Sequence, residues 1–154
     1  MHHLLSLIVR GKTLSRRGTA AVEFALAMPM FLILLLGLVE VGFGTYQAMQ
    51  VQDAAEAGAL YVSENGWNPS GIAAAVVNAT GATGLTATPA AVEFCGCPTS
   101  TGISPVVCTS TCTGGVTPGT YVKVSAALPH QTILAYPGLP LPATLTGQST
   151  IRLQ

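Results

Sequence analysis

Between Arg16 and Phe24 the chain reads Arg-Arg-Gly-Thr-Ala-Ala-Val-Glu-Phe, and here residue type and spacing point most directly to chemistry. Gly18 carries no side chain, so a protease at a membrane surface can grip an extended backbone there. A cut after Gly18 would make Thr19 the first residue, with a new α-amino group, and would leave Glu23 as the fifth. Glu23 then lies four residues past that amine, about 6 Å deeper along a helix. An acid inside a bilayer costs roughly 2.5–3.5 kcal/mol at mid-span and less near an interface. The amine of Thr19 on an adjacent copy would offset that cost and fix the stagger of two sliding helices. Such a pair adds specificity more than stability, because desolvating both ions cancels much of their attraction. The plainer alternative makes Glu23 a snorkelling acid at a helix start, favoured there by the helix dipole.

Two other sets of residues invite chemistry. Cys95-Gly96-Cys97 and Cys108-x-x-x-Cys112 supply four cysteines in a short Gly/Thr-rich stretch. In an oxidising compartment an even number favours two disulfides, one cysteine of each group bonding one of the other, although three connectivities stay open. A four-thiolate zinc site is the rival, but its usual knuckles are Cys-x-x-Cys and neither spacing matches. His130 stands among prolines with no partner carboxylate nearby and reads as a surface residue. No nucleophile elbow, phosphate loop or carboxylate pair occurs. The sequence implies no enzyme, no cofactor and no metal.

The element that must carry Glu23 is Thr19–Phe43, TAAVEFALAMPMFLILLLGLVEVGF, in which Glu23 and Glu40 are the only charged side chains. A bilayer core of about 30 Å needs roughly 20 helical residues, and a lone span in lipid must be a helix to satisfy its own backbone. Pro29 falls inside it, removing one hydrogen bond and predicting a kink or a loosened turn near Ala25. Glu40, near the outer end, is expected to reach the headgroups.

Composition agrees. Of 154 residues 49% are hydrophobic and 8% charged, against about 25% charged in ordinary soluble domains. The formal charge is zero, yet Arg10, Lys12, Arg16 and Arg17 precede position 18 with no acid among them. Beyond it, Lys123 and Arg152 face six acids, a charge of two minus six, or −4. A basic end followed by a long apolar run implies membrane lipid and not nucleic acid. The positive-inside rule keeps the N-terminus cytoplasmic and sends residues after about 45 outward. The four cysteines fit that direction.

With Arg16 and Arg17 at the headgroups, the stretch RRGTAAVEFALAMPMFLILLLGLVEVG resembles the prepilin-peptidase site of type IV pilins and pseudopilins, and is similar to the N-terminal signature of the TadE-like family. That family comprises pseudopilins of the tight-adherence (Flp) pilus system, and the resemblance covers residues 16 to about 63. It implies cleavage between Gly18 and Thr19 by prepilin peptidase, an assembly role for Glu23 and Phe24, and a bacterial inner-membrane location. Other pilins or pseudopilins and the inner-membrane assembly platform are the implied partners, with the C-terminal domain periplasmic before assembly and extracellular in a pilus after it. The main pilins of this system are much shorter, so the resemblance implies a minor pilin. TadG-like relatives carry a larger exported domain.

The expected organisation is a leader over 1–18, a transmembrane and extended helix over 19–63, and an exported domain over 64–154. Val51, Ala54 or Ala55, Gly58 and Tyr61 or Val62 recur at helical spacing and form one apolar stripe, which is expected to cover this chain's own sheet. Asn65-Gly66 ends the helix, and Asn68-Pro69-Ser70 opens a short second one over Gly71 to Ala79. Strands are expected at Ala91–Cys95, Pro105–Thr109, Thr120–Leu128 and Leu145–Leu153. The fold class is α+β, a long helix followed by a small antiparallel sheet, pilin-like. A second reading is a disulfide-stabilised binding module outside any pilus. It would be either secreted, through a cut at Ala55-Glu56-Ala57, or permanently anchored.

Overall fold

The computed structural model describes residues 16–133 and 142–153, with side chains from residue 18 onward. The leader residues Arg10 and Lys12 and the side chains of Arg16 and Arg17 lie outside the described residues. So do Pro137 and Pro140.

Helix α1 runs Arg16–Asn65, 50 residues with Pro29 inside it. The chain divides into one unit through Val39 and another from Glu40. In the first unit the apolar side chains point outward all round: Phe24 is 65% exposed, Met30 77% and Leu38 67%. A helix apolar on every face suits hydrocarbon and not water. It is long and apolar enough to cross a membrane, and none of its most apolar window is buried. This fits a membrane anchor.

The second unit is α+β. Helix α2, Pro69–Asn78, is started by Asn68, whose extended backbone lets its Oδ1 accept from Gly71 N at 3.2 Å, with Pro69 in the first helical position. Strands β1 (Val92–Thr99), β2 (Gly102–Pro105), β3 (Gly119–Pro129) and β4 (Thr144–Arg152) form an antiparallel sheet in the order β2-β1-β3-β4. Val122, Val124, Ala126 and Leu128 of β3 pack with Val51, Ala54, Ala55, Ala59 and Val62 of α1 and with Ile72 and Val76 of α2. The predicted stripe therefore covers the chain's own sheet. Small residues allow the approach. A Cβ on Gly58 would meet Val76 Cγ2 at 2.6 Å and Val124 Cγ1 at 2.7 Å.

The second strand departs from expectation. It occupies Gly102–Pro105 instead of Pro105–Thr109, joined to β1 through a tight turn at Ser100-Thr101, with Gly102 at φ 139°. Pro105 has no N–H to extend a ladder, and Cys108 is drawn to Cys95. Val106 N still bonds Cys95 O at 2.8 Å, after which the chain turns, with Cys112 N bonding Val116 O at 2.8 Å. The disulfides are Cys95–Cys108 and Cys97–Cys112. One cysteine of each group pairs with one of the other, as expected, and no thiolates remain for a zinc site. Closing a loop of about 15 residues contributes roughly 3 kcal/mol in the chain-entropy model, which matters to a sheet of four short strands.

Candidate functional site

The N-terminal junction is helical over the described residues from Arg16 onward, so Gly18 lies within α1 and not in extended chain. A glycine there costs the helix about 1 kcal/mol relative to alanine, which lowers the work of unwinding it. A Cβ on Gly18 would meet nothing within 4 Å, so the space around the junction is open. Gly18, Thr19, Glu23 and Phe24 are all exposed. Glu23 is the only charged residue from Gly18 to Val39, and among the described residues no cation pairs with it. Gly18 lies at an open position of the helix and, about one helical turn further along, Glu23 places a carboxylate on an otherwise apolar rod.

A second polar site lies in the unit from Glu40, and sequence reasoning missed it. Glu40 is 1% exposed, and its carboxylate oxygens accept from Ile133 N at 3.0 and 3.2 Å. Gln47, also buried, donates from Nε2 to Gln131 O at 3.3 Å, and its Oε1 lies 2.8 Å from Nδ1 of His130. His130 packs over Gly44, where a Cβ would meet its Cε1 at 3.3 Å, and His130 N bonds Ala143 O. Residues 130–133 are thus laid along α1 by its own side chains. Two expectations are corrected. Glu40 does not project to headgroups, because the strand-end backbone covers it, and His130 is half-buried instead of on the open surface. The signal was available: positions 40, 44, 47 and 51 continue the spacing of the core stripe toward the membrane. Polar residues there pair with backbone amides that the sheet no longer satisfies.

Glu40→Ala is expected to leave Ile133 N without this acceptor. The cost is about 2 kcal/mol, or on the order of 10 °C in Tm for a domain of this size. Thermal unfolding of the full chain in detergent, followed by circular dichroism, measures it. Glu40→Gln, which keeps one acceptor oxygen, should lose less than half as much.

Pro29 lies about 1.7 helical turns beyond Glu23, within the exposed apolar part of α1. Cys95, Cys97, Cys108 and Cys112 are gathered at the β1–β2 end of the sheet and are covalently paired there. Among the described residues no three of His, Cys, Asp and Glu come together as metal ligands.

Comparison with known proteins gives one finding: a model of TadE-like proteins matches residues 18–60. No curated protein and no solved structure matches the chain.

Proposed function

From the TadE-like segment that the chain carries over residues 18–60, we propose that this protein is a minor pilin of a tight-adherence type pilus. It is inserted with its N-terminus cytoplasmic, cut by prepilin peptidase between Gly18 and Thr19, and takes part in pilus assembly and surface adhesion. Its partners are that peptidase, membrane lipid, other pilins or pseudopilins and the inner-membrane assembly platform. It carries out no catalysis and needs no cofactor.

The observation that carries this reading is the exposed rod of α1. A single carboxylate, Glu23, interrupts an apolar surface that no described residue of its own unit covers. A plain anchor gains nothing from an acid at that depth, which costs free energy in lipid. An assembling helix gains a register mark, because the amine freed on Thr19 of a neighbour can meet the acid at one stagger only. Phe24 beside it, 65% exposed, offers apolar surface to the same neighbour. Within lipid, removing apolar area gains little, so such a ring contributes through close van der Waals packing against the neighbour. The disulfide-closed unit from Glu40 is then the part displayed outside the membrane, where an oxidising environment keeps both bonds intact.

Mass spectrometry of the mature N-terminus tests the proposal. A chain beginning at Thr19, lost in a strain lacking prepilin peptidase, is the expected result. A start at Gly58 would instead indicate secretion, and an intact leader a permanent anchor. Either would overturn the pilin reading.

A further inference from the structure

We infer that the exported unit carries two complementary faces, and that each copy docks the outer face of its sheet on the outer face of α1 of a second copy. The inference rests on the assembling-subunit reading above and names the surfaces that meet.

The helix face is defined by what the core leaves over. Val51, Ala54, Ala55, Gly58 and Val62 face the sheet. At 3.6 residues per turn, Tyr46, Met49, Asp53 and Glu64 fall on the opposite side, while Glu56 and Leu60 lie on the flank beside β4, lining a hollow with Ser149, Thr150 and Ile151; all six are exposed. Met49 is 61% and Leu60 62% exposed, so the stripe mixes large apolar anchors with three acids.

The sheet face has the reverse charge. Lys123 lies between Val122 and Val124, which are buried toward α1, so it projects from the other face. The pairing Tyr121↔Arg152 puts Arg152 on that face too, and its Nε lies 2.9 Å from where a Cβ on Gly119 would be. Val92, paired with Lys123 and 55% exposed, supplies an apolar neighbour. Lys123 and Arg152 are the only basic residues after Arg17, and both occupy this one face. Among the described residues, none of Asp53, Glu56, Glu64, Lys123 and Arg152 is in an ion pair.

Height decides which partner fits. Thr150, opposite Lys123, lines a hollow with Leu60, and Arg152 lines another with Val62 and Ser63. The cations therefore stand level with helix positions 60 to 63, and the acids at 53, 56 and 64. Copies of this chain standing side by side in one membrane present these faces within about one or two helical turns of each other, 5–10 Å. A partner unrelated to this chain has no reason to match that height. Contact of unlike faces is heterologous, so it leaves a free face of each kind at the ends and propagates without closing. Single exposed ion pairs contribute little, but several around apolar anchors act together.

The test uses the full chain, expressed with two different tags and recovered from membranes in mild detergent at low salt. Lys123→Glu with Arg152→Glu is expected to lower recovery of one tagged copy with the other at least tenfold. Asp53→Lys with Glu56→Lys is expected to do the same. Co-expressing the two reversed chains should restore recovery to within a few-fold of the parent, which a merely misfolded variant cannot do. Mobility on non-reducing gels confirms that both disulfides have formed in each variant. Undiminished recovery in either reversal, or no rescue on mixing, would overturn the inference. The mass of the mature N-terminus, read on the same samples, reports separately on whether the pilin reading stands.

Discussion

Glu23→Gln is expected to abolish fibre assembly while leaving insertion and cleavage after Gly18 in place. Glutamine has nearly the shape of glutamate and remains compatible with the helix, so the membrane span survives. It lacks only the charge. In the proposed assembly Glu23 meets the amine of Thr19 on a neighbour inside an apolar bundle, where removing one member of a desolvated pair costs about 3–5 kcal/mol. At 1.4 kcal/mol per tenfold, the lower figure already corresponds to more than a hundredfold loss of association. The cost falls on the subunit contact and not on the monomer, because Glu23 is exposed along α1 and among the described residues pairs with no cation. Glu23→Asp keeps the charge on a shorter stem and should retain part of the function. Shear-released pili counted by immunoblot, beside the mass of the mature chain, measure both steps. Wild-type fibre yield and adherence in Glu23→Gln would remove the register-mark mechanism.

Gly147→Ala carries the largest expected effect on folding. Gly147 sits in β4 opposite Ala126, with its α-carbon against the backbone of α1. A Cβ there would meet Val51 O at 2.6 Å, Val51 C at 2.8 Å and Gln52 Cα at 3.0 Å. All three are main-chain atoms of a helix and cannot rotate aside. The sheet must lift from α1, and the adjoining bond from Gln52 Nε2 to Gln148 O, 3.2 Å long, is lost with the approach. Overpacking usually costs 1–3 kcal/mol. Contact on backbone places this case at the upper end or beyond, about 3 kcal/mol, out of a total stability typically of 5–15. Gly58→Ala should cost less, since Val76 and Val124 meet it with side-chain methyls that can shift. Gly81→Ala, where a Cβ would have nothing within 4 Å, serves as the neutral control. Thermal unfolding of the three full-length variants should rank them in that order, and equal midpoints would refute the packing argument.

Properties that depend on local chemistry were legible in the residues themselves. A run from Phe24 to Val39 with no charge can only be comfortable in a nonpolar surround, and the structure leaves its side chains outward. The Gly18–Glu23 spacing, the Asn68-Pro69 helix start and the small residues of the α1 stripe follow from backbone preference and helical period. The grouping of cysteines, two and two, favoured bonds between the groups, which the structure has. The α+β class followed from the order of these elements.

Tertiary structure decided what local pattern leaves degenerate. Cys95 takes Cys108 rather than Cys112 because β1 and β2 pair with Gly96 opposite Pro105, a register that brings the strand exits together. The β2 strand itself lies upstream because the chain turns after Val106, whose N–H still bonds Cys95 O, and Cys108 is tied back to Cys95, although Val106 and Val107 look like strand residues. Glu40 offers the clearest case. Its type and its place at the end of an apolar run argue for the headgroups, yet a backbone amide 93 residues away needs an acceptor at that point. A charge can be buried when a donor meets it, and only the path of the whole chain determines where that donor arrives.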